Sequence, residues 1–173
     1  TNFLHGIPQF AISIALEREG QLVSGIVFNP ISDEMFYAEK NSGAFVNEKR
    51  LRVAARKNLK DSVIALGLPF LGKEGHARAL AELALVMGQT AGVRRCGSAA
   101  LDLAYVAAGR FDGFWERGLS PWDVAAGILM VREAGGVITD MNGGADMLTG
   151  GTLLSANEHL HPQLLKLLKS AKT

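Results

Sequence analysis

The chain has 173 residues, 48% of them hydrophobic, so it is long and apolar enough to bury a substantial core as one domain or a large part of one. Its 18 basic and 17 acidic residues balance, which excludes a nucleic-acid surface built on bulk electrostatics. One cysteine, Cys96, cannot close an internal disulfide, and the sequence shows neither an apolar run of about 18 residues nor a basic-then-apolar leader. A soluble cytoplasmic protein is the expectation.

Residues 9–18 (QFAISIALER) alternate apolar and polar as a strand does, and Glu19-Gly20 supplies a turn into a second strand, LVSGIVFN, closed by Asn29-Pro30. EMFYAE and AFVN follow across Asn41-Ser42-Gly43, so residues 1–59 read as an antiparallel meander. From residue 60 the pattern changes to alternating strand and helix. SVIALGL is a strand, Glu74 to Met87 has helical spacing, AGVRRC is a strand, and Ser98 caps a helix over AALDLAYVAA that Gly109 ends. FDGFWE leads into a helix ended by Gly135-Gly136, GVITDM and GTLLSAN are the last strands, and an amphipathic helix closes the chain from His161-Pro162. The fold class is therefore α/β with a mixed sheet, divided into 1–59 and 60–173.

Residues 110–136, RFDGFWERGLSPWDVAAGILMVREAGG, carry the chemistry. Glu116 and Asp123 bracket a Gly-Leu-Ser-Pro turn. Ser120 fits the N-cap and Pro121 the N1 position of a helix apolar almost all round, which puts Asp123 at N3 on a rigid support. Two readings compete for Asp123: a capping box that ties N3 back to the N-cap amide, or a carboxylate presented to a cation.

Pro121-Trp122-Asp123-Val124-Ala125-Ala126-Gly127, followed by Glu133-Ala134-Gly135-Gly136, resembles the second signature of the inositol monophosphatase family of magnesium-dependent phosphatases. Within it the chain is most similar to the bacterial inositol-1-monophosphatases of the extragenic-suppressor type. Thr1-Asn2-Phe3 matches the end of the family's first signature, and Arg94-Arg95-Cys96-Gly97-Ser98-Ala99-Ala100-Leu101-Asp102 matches its substrate-contacting segment. The resemblance implies a layered αβαβα sandwich with the active site between the meander and the alternating part. It also implies that the other metal-binding carboxylates would lie ahead of Thr1, so a chain lacking its N-terminal elements is expected.

Other motifs lead nowhere. Gly67-Leu68-Pro69-Phe70-Leu71-Gly72-Lys73 satisfies Gly-x4-Gly-Lys, but Glu74 replaces the hydroxyl that would bind magnesium and Pro69 removes a phosphate-binding amide. Cys96 is followed six residues later by Asp102, where a cysteine phosphatase needs an arginine, so it reads as a small buried hydrophobe. Ser98 does not lie within Gly-x-Ser-x-Gly. His5, His76, His159 and His161 lack zinc-ligand spacing and read as solvated polar residues.

By resemblance, Asp123 is the catalytic metal ligand for Mg2+, and Glu116 accepts a hydrogen bond from a substrate hydroxyl. Gly97, Ser98, Ala99 and Arg94 contact substrate, with Arg95 left for an interface or a salt bridge because strand alternation turns the two arginines to opposite faces. The implied activity is magnesium-dependent hydrolysis of a small polyol phosphate monoester, most naturally inositol 1-phosphate, by a homodimer. Two alternatives stay open: a role as a protein-binding factor in bacterial transcription complexes with RNA polymerase, and a related sugar or nucleotide phosphatase. No membrane partner is expected.

Overall fold

The computed structural model describes residues 1–172. Strands β1 (Ile12–Arg18), β2 (Gln21–Asn29), β3 (Glu34–Glu39), β4 (Gly43–Val46) and the two-residue β5 (Lys49–Arg50) form an antiparallel meander in sequence order. Glu19 and Gly20 both take positive φ in the tight turn between β1 and β2, which pair from Arg18↔Gln21 to Ile12↔Phe28 with a register shift between Leu16 and Glu17.

The second sheet holds β6 (Val63–Leu66), β7 (Gly92–Arg94), β8 (Gly113–Arg117), β9 (Val137–Thr139) and β10 (Thr152–Ala156) in the order β7-β6-β8-β10-β9. The first three are parallel, and β10 runs antiparallel to both β8 and β9. Helices α1 (His76–Met87), α2 (Ala99–Ala107), α3 (Pro121–Glu133), the short α4 (Met147–Gly150) and α5 (Leu160–Lys169) complete the order.

The layers follow from which side chains are apolar. Along β6, β8 and β10 alternate residues enter two different cores: Ala65, Phe114 and Leu153 join one with α2 and α3, while Ile64, Leu66, Trp115 and Leu154 join another with Val86, Leu160, Leu164 and Leu168 of α1 and α5. A sheet buried on both faces reads as continuous apolar runs, and these strands do. The first core also takes Val27, Phe36, Ala38 and Ala44 from the meander, so α2 and α3 are sandwiched between the two sheets. Among the described residues the stack is therefore sheet, helices, sheet, helices, four layers of the expected five. The outer face of the meander is open, with Ile12, Ile14 and Leu16 each more than half exposed.

Helix α3 is the structural axis. Val124 to Val131 are all buried, and two glycine contacts show how tightly it is held. A Cβ on Gly25 of β2 would lie 2.9 Å from Ala126 Cα, and one on Gly127 would lie 2.5 Å from Leu103 Cβ of α2.

Several expectations shift at their edges. The strand expected over 91–96 ends at Arg94, and α1 begins at His76 behind Gly75, which takes φ +90°. Leu59–Asp61 forms a 3-10 turn, and α4 and β5 carried no sequence signal. His161 is the main correction: it is 5% exposed rather than solvated, with Nε2 3.0 Å from Thr139 Oγ1. It sits one position after Leu160, on the first turn of α5 that is pressed onto the sheet, and burial lowers its pKa.

Candidate active site

In open α/β sheets, ligands collect beyond the carboxyl ends of parallel strands. Here β6 ends at Leu66 before Gly67, β7 ends at Arg94 before Arg95, and β8 carries Glu116 one residue before its end. The same edge receives the N-termini of α2 and α3, whose first amides have no helical partners and whose dipoles favour negative charge. A cleft of about 600 Å³ opens at this edge, lined by Gly67, Arg95, Gly97, Ser98, Ala99, Glu116 and Asp123, and also by Thr1, Asn2, Gln9 and Ser13.

Asp123 is at N3 of α3, behind N-cap Ser120 and Pro121 at N1. Its Oδ2 accepts from the Ser120 amide at 3.0 Å. The capping bond is made, and the half-exposed carboxylate still lines the cleft. A carboxylate has about four lone-pair sites, so one amide does not exhaust it. Its capping bond fixes its orientation.

Glu116 lies under Gly67, so close that a Cβ there would fall 1.8 Å from its Cδ. Gly67 is thus the gap through which this side chain reaches the cleft. Burial pushes the Glu116 pKa up to about 7, against the lowering effect of Arg95 and with a further push from Asp123.

Gly97, Ser98 and Ala99 form the turn into α2. Gly97 takes φ +82°, and a Cβ there would meet Arg95 Nη1 at 2.8 Å and Asn2 Nδ2 at 3.2 Å. Ser98 occupies the N-cap position as expected, but its side chain makes no capping bond. Asn2 donates from Nδ2 to Gln9 O at 2.8 Å and Cys96 O at 3.0 Å, stitching the opening segment to this turn.

The two arginines part at the end of β7. Arg95 lines the cleft, whereas Arg94 is absent from its lining and turns back to donate to Val93 O at 2.8 Å. The reason is local: β7 stops at Arg94, so the pleat that would have opposed the two side chains no longer governs Arg95. Cys96 is half-buried, with its pKa raised to about 11 by burial and then by Asp102, which makes it a poor nucleophile.

The sequence assigned no place in the cleft to Asn2, Gly67 or Arg95, which reach it through close approach. Nor did it assign a role to Asp102, which is 1% exposed with Oδ1 accepting no hydrogen bond.

Among residues 1–172 no three Asp, Glu, His or Cys side chains converge on a point that could hold a metal ion. Magnesium is commonly held by one or two carboxylates, with waters and substrate phosphate filling the remaining positions. Asp123, a hard oxygen donor on a fixed helix end, fits one such position.

The inositol monophosphatase family profile matches residues 1–173. The chain belongs to this family. It is 59% identical over 169 residues to an inositol-1-monophosphatase of Mesorhizobium japonicum, covering 98% of this chain and 64% of that protein. It is 46% identical to the Nus factor SuhB of Pseudomonas aeruginosa, across 95% of this chain and 62% of that one. The crystal structure of the extragenic suppressor protein suhB from Bartonella henselae superposes with a TM-score of 0.96 at 57% identity, covering 99% of this chain and 66% of the other. The chain thus spans slightly under two thirds of the length of these family members. The layered α/β sandwich expected from sequence is the family's fold.

Proposed function

We propose that the protein is a magnesium-dependent phosphatase of small polyol phosphate monoesters, with inositol 1-phosphate the leading substrate. The observation that carries this reading is the convergence of Asp123, Glu116 and the Gly97-Ser98-Ala99 turn on one cleft at the carboxyl edge of three parallel strands.

In this reading Asp123 contributes one ligand to Mg2+, and Glu116 accepts a hydrogen bond from a substrate hydroxyl. The free amides at the head of α2 and the Arg95 guanidinium offset phosphate charge, a role that passes to Arg95 from Arg94 because only Arg95 borders the cleft. When bound, the ion would lower the pKa of a water for attack on phosphorus and offset charge on the departing oxygen. The chain's own contribution is positional: the capped Asp123 and the sheltered Glu116 are held by elements packed from both sides.

The test is phosphate release from inositol 1-phosphate with and without Mg2+, repeated across polyol phosphates for Glu116→Gln. The reading expects Mg2+-dependent release and a changed substrate ranking in the variant. An unchanged ranking removes Glu116 from the pocket.

A second role is favoured by one observation, the 46% identity to a protein named as a Nus factor. A binding role in transcription complexes with RNA polymerase would use the surface rather than the cleft, and the near-neutral charge suits a protein partner better than bare nucleic acid. Retention on immobilised RNA polymerase, measured beside turnover, separates the two roles. We assign the protein to the cytoplasm on its single cysteine, and to a homodimer by analogy with the family. No helix among the described residues is long and apolar enough to cross a membrane.

A further inference from the structure

Asp102 has no part in the chemistry described so far. It sits on the first turn of α2, 1% exposed, one turn behind the Ser98 N-cap, and its Oδ1 accepts no hydrogen bond. A buried carboxylate with an unmatched oxygen is costly, and such a group calls for an explanation. Its surroundings provide one. Glu116 of β8 presses on it electrostatically, Arg95 attracts both carboxylates, and the Cys96 thiol and Ser98 amide are its neighbouring donors. Asp123 of α3 adds its charge to Glu116.

The corner therefore holds two desolvated carboxylates and one cation, Arg95. Two such groups in low dielectric do not both ionise readily; one keeps a proton, and the pair titrates in coupled steps. Arg95 favours the charged form of both, but Glu116 lines the cleft whereas Asp102 is enclosed by protein. The proton belongs with Asp102.

We propose that Asp102 is a positioning residue for Glu116: it retains the proton that this carboxylate pair cannot wholly give up, leaving Glu116 as the single charged acceptor for a substrate hydroxyl. Ionisation of Asp102 would place a second negative charge behind Glu116 and weaken capture of a phosphate ester. The pH at which this happens lies near neutrality, since burial and then Glu116 raise the Asp102 pKa to about 7. This inference deepens the phosphatase reading and rests on it for the substrate, though not for the proton.

Carbon-13 NMR of labelled Asp and Glu carboxyls in the whole protein tests the proton directly, without turnover. Asp102, assigned by its loss in Asp102→Asn, is expected to titrate well above the ordinary carboxyl range of about 4, and in Glu116→Gln its midpoint must fall by about one unit or more. An Asp102 that titrates as an ordinary carboxyl, or one unmoved by Glu116→Gln, overturns the proposal. Steady-state kinetics supply the second readout: KM for inositol 1-phosphate is expected to rise by about tenfold between about pH 6 and about pH 8.5 in the parent protein, and by much less in Asp102→Asn. A purely structural role would lower turnover in Asp102→Asn at every pH and leave the two KM profiles parallel, which also overturns it. Absence of any phosphatase activity with an intact NMR coupling would instead refute the substrate reading alone.

Discussion

Gly127→Ala puts the packing of α3 to a test whose sign distinguishes two effects. Gly127 is buried mid-helix, where replacing glycine by alanine ordinarily stabilises by about 1 kcal/mol through helix propensity. In this protein the new methyl would lie 2.5 Å from Leu103 Cβ and 2.6 Å from Leu103 Cδ1. Rotating Leu103 relieves only the second contact, because the Cβ moves with the backbone. Helices α2 and α3 must then separate by about 1 Å to restore ordinary contact, and overpacking of this kind costs about 1–3 kcal/mol. The propensity gain offsets part of that. A net loss of about 1 kcal/mol corresponds to a fall in Tm of about 2–4 °C for a chain of this size, to be read by scanning calorimetry. Because Asp123 rides on the first turn of α3, metal-dependent activity should fall by more than the stability loss alone requires. A Tm that is unchanged or higher would show that the two helices are less tightly opposed than the structure has them.

Gly67→Ala should spare the fold and injure the site. Its Cβ would collide with the end of the Glu116 side chain, which can swing away, so stability is expected within about 1 kcal/mol of the parent while KM for a polyol phosphate rises by about tenfold; an unchanged KM would show that Glu116 does not touch substrate. His161 sets a pH dependence of stability. Burial lowers its folded pKa, so between the ordinary histidine value of about 6.5 and that lower value the unfolded chain binds more protons, and stability falls as pH falls. Urea unfolding should show this acid loss reduced in His161→Gln, and parallel curves would exclude His161 as its source.

Local signals carried most of the architecture. Turn pairs such as Glu19-Gly20, the closing glycines Gly109 and Gly135, both at positive φ, and the Ser120-Pro121 helix start all act within a few residues, so they can be read without the tertiary structure. The N3 position of Asp123 was visible for the same reason. Arg95 was not, because its direction depends on where β7 stops, a boundary set by pairing with β6 through Ala65↔Arg94. Gly67 matters only because Glu116, 49 residues later, passes beneath it. Asp102 served in the sequence only to rule out a cysteine phosphatase; its burial follows from α2 lying between two sheets. His161 misled in the opposite way, since a histidine on the first turn of a terminal helix is solvated unless that turn is pressed onto a strand, as it is against Thr139.

The proposed phosphatase activity depends on the carboxylate of Asp123 as a cation ligand. Asp123→Asn keeps the shape and an oxygen able to accept from the Ser120 amide, so it removes charge while preserving the cap. Titration calorimetry of Mg2+ against the parent protein and this variant, at matched Tm, isolates that charge. A fall in Mg2+ affinity of about tenfold or more, accompanied by loss of phosphate release, is the expected result. Equal affinity and equal turnover in the two proteins would contradict the metal role of Asp123 and the phosphatase reading built on it.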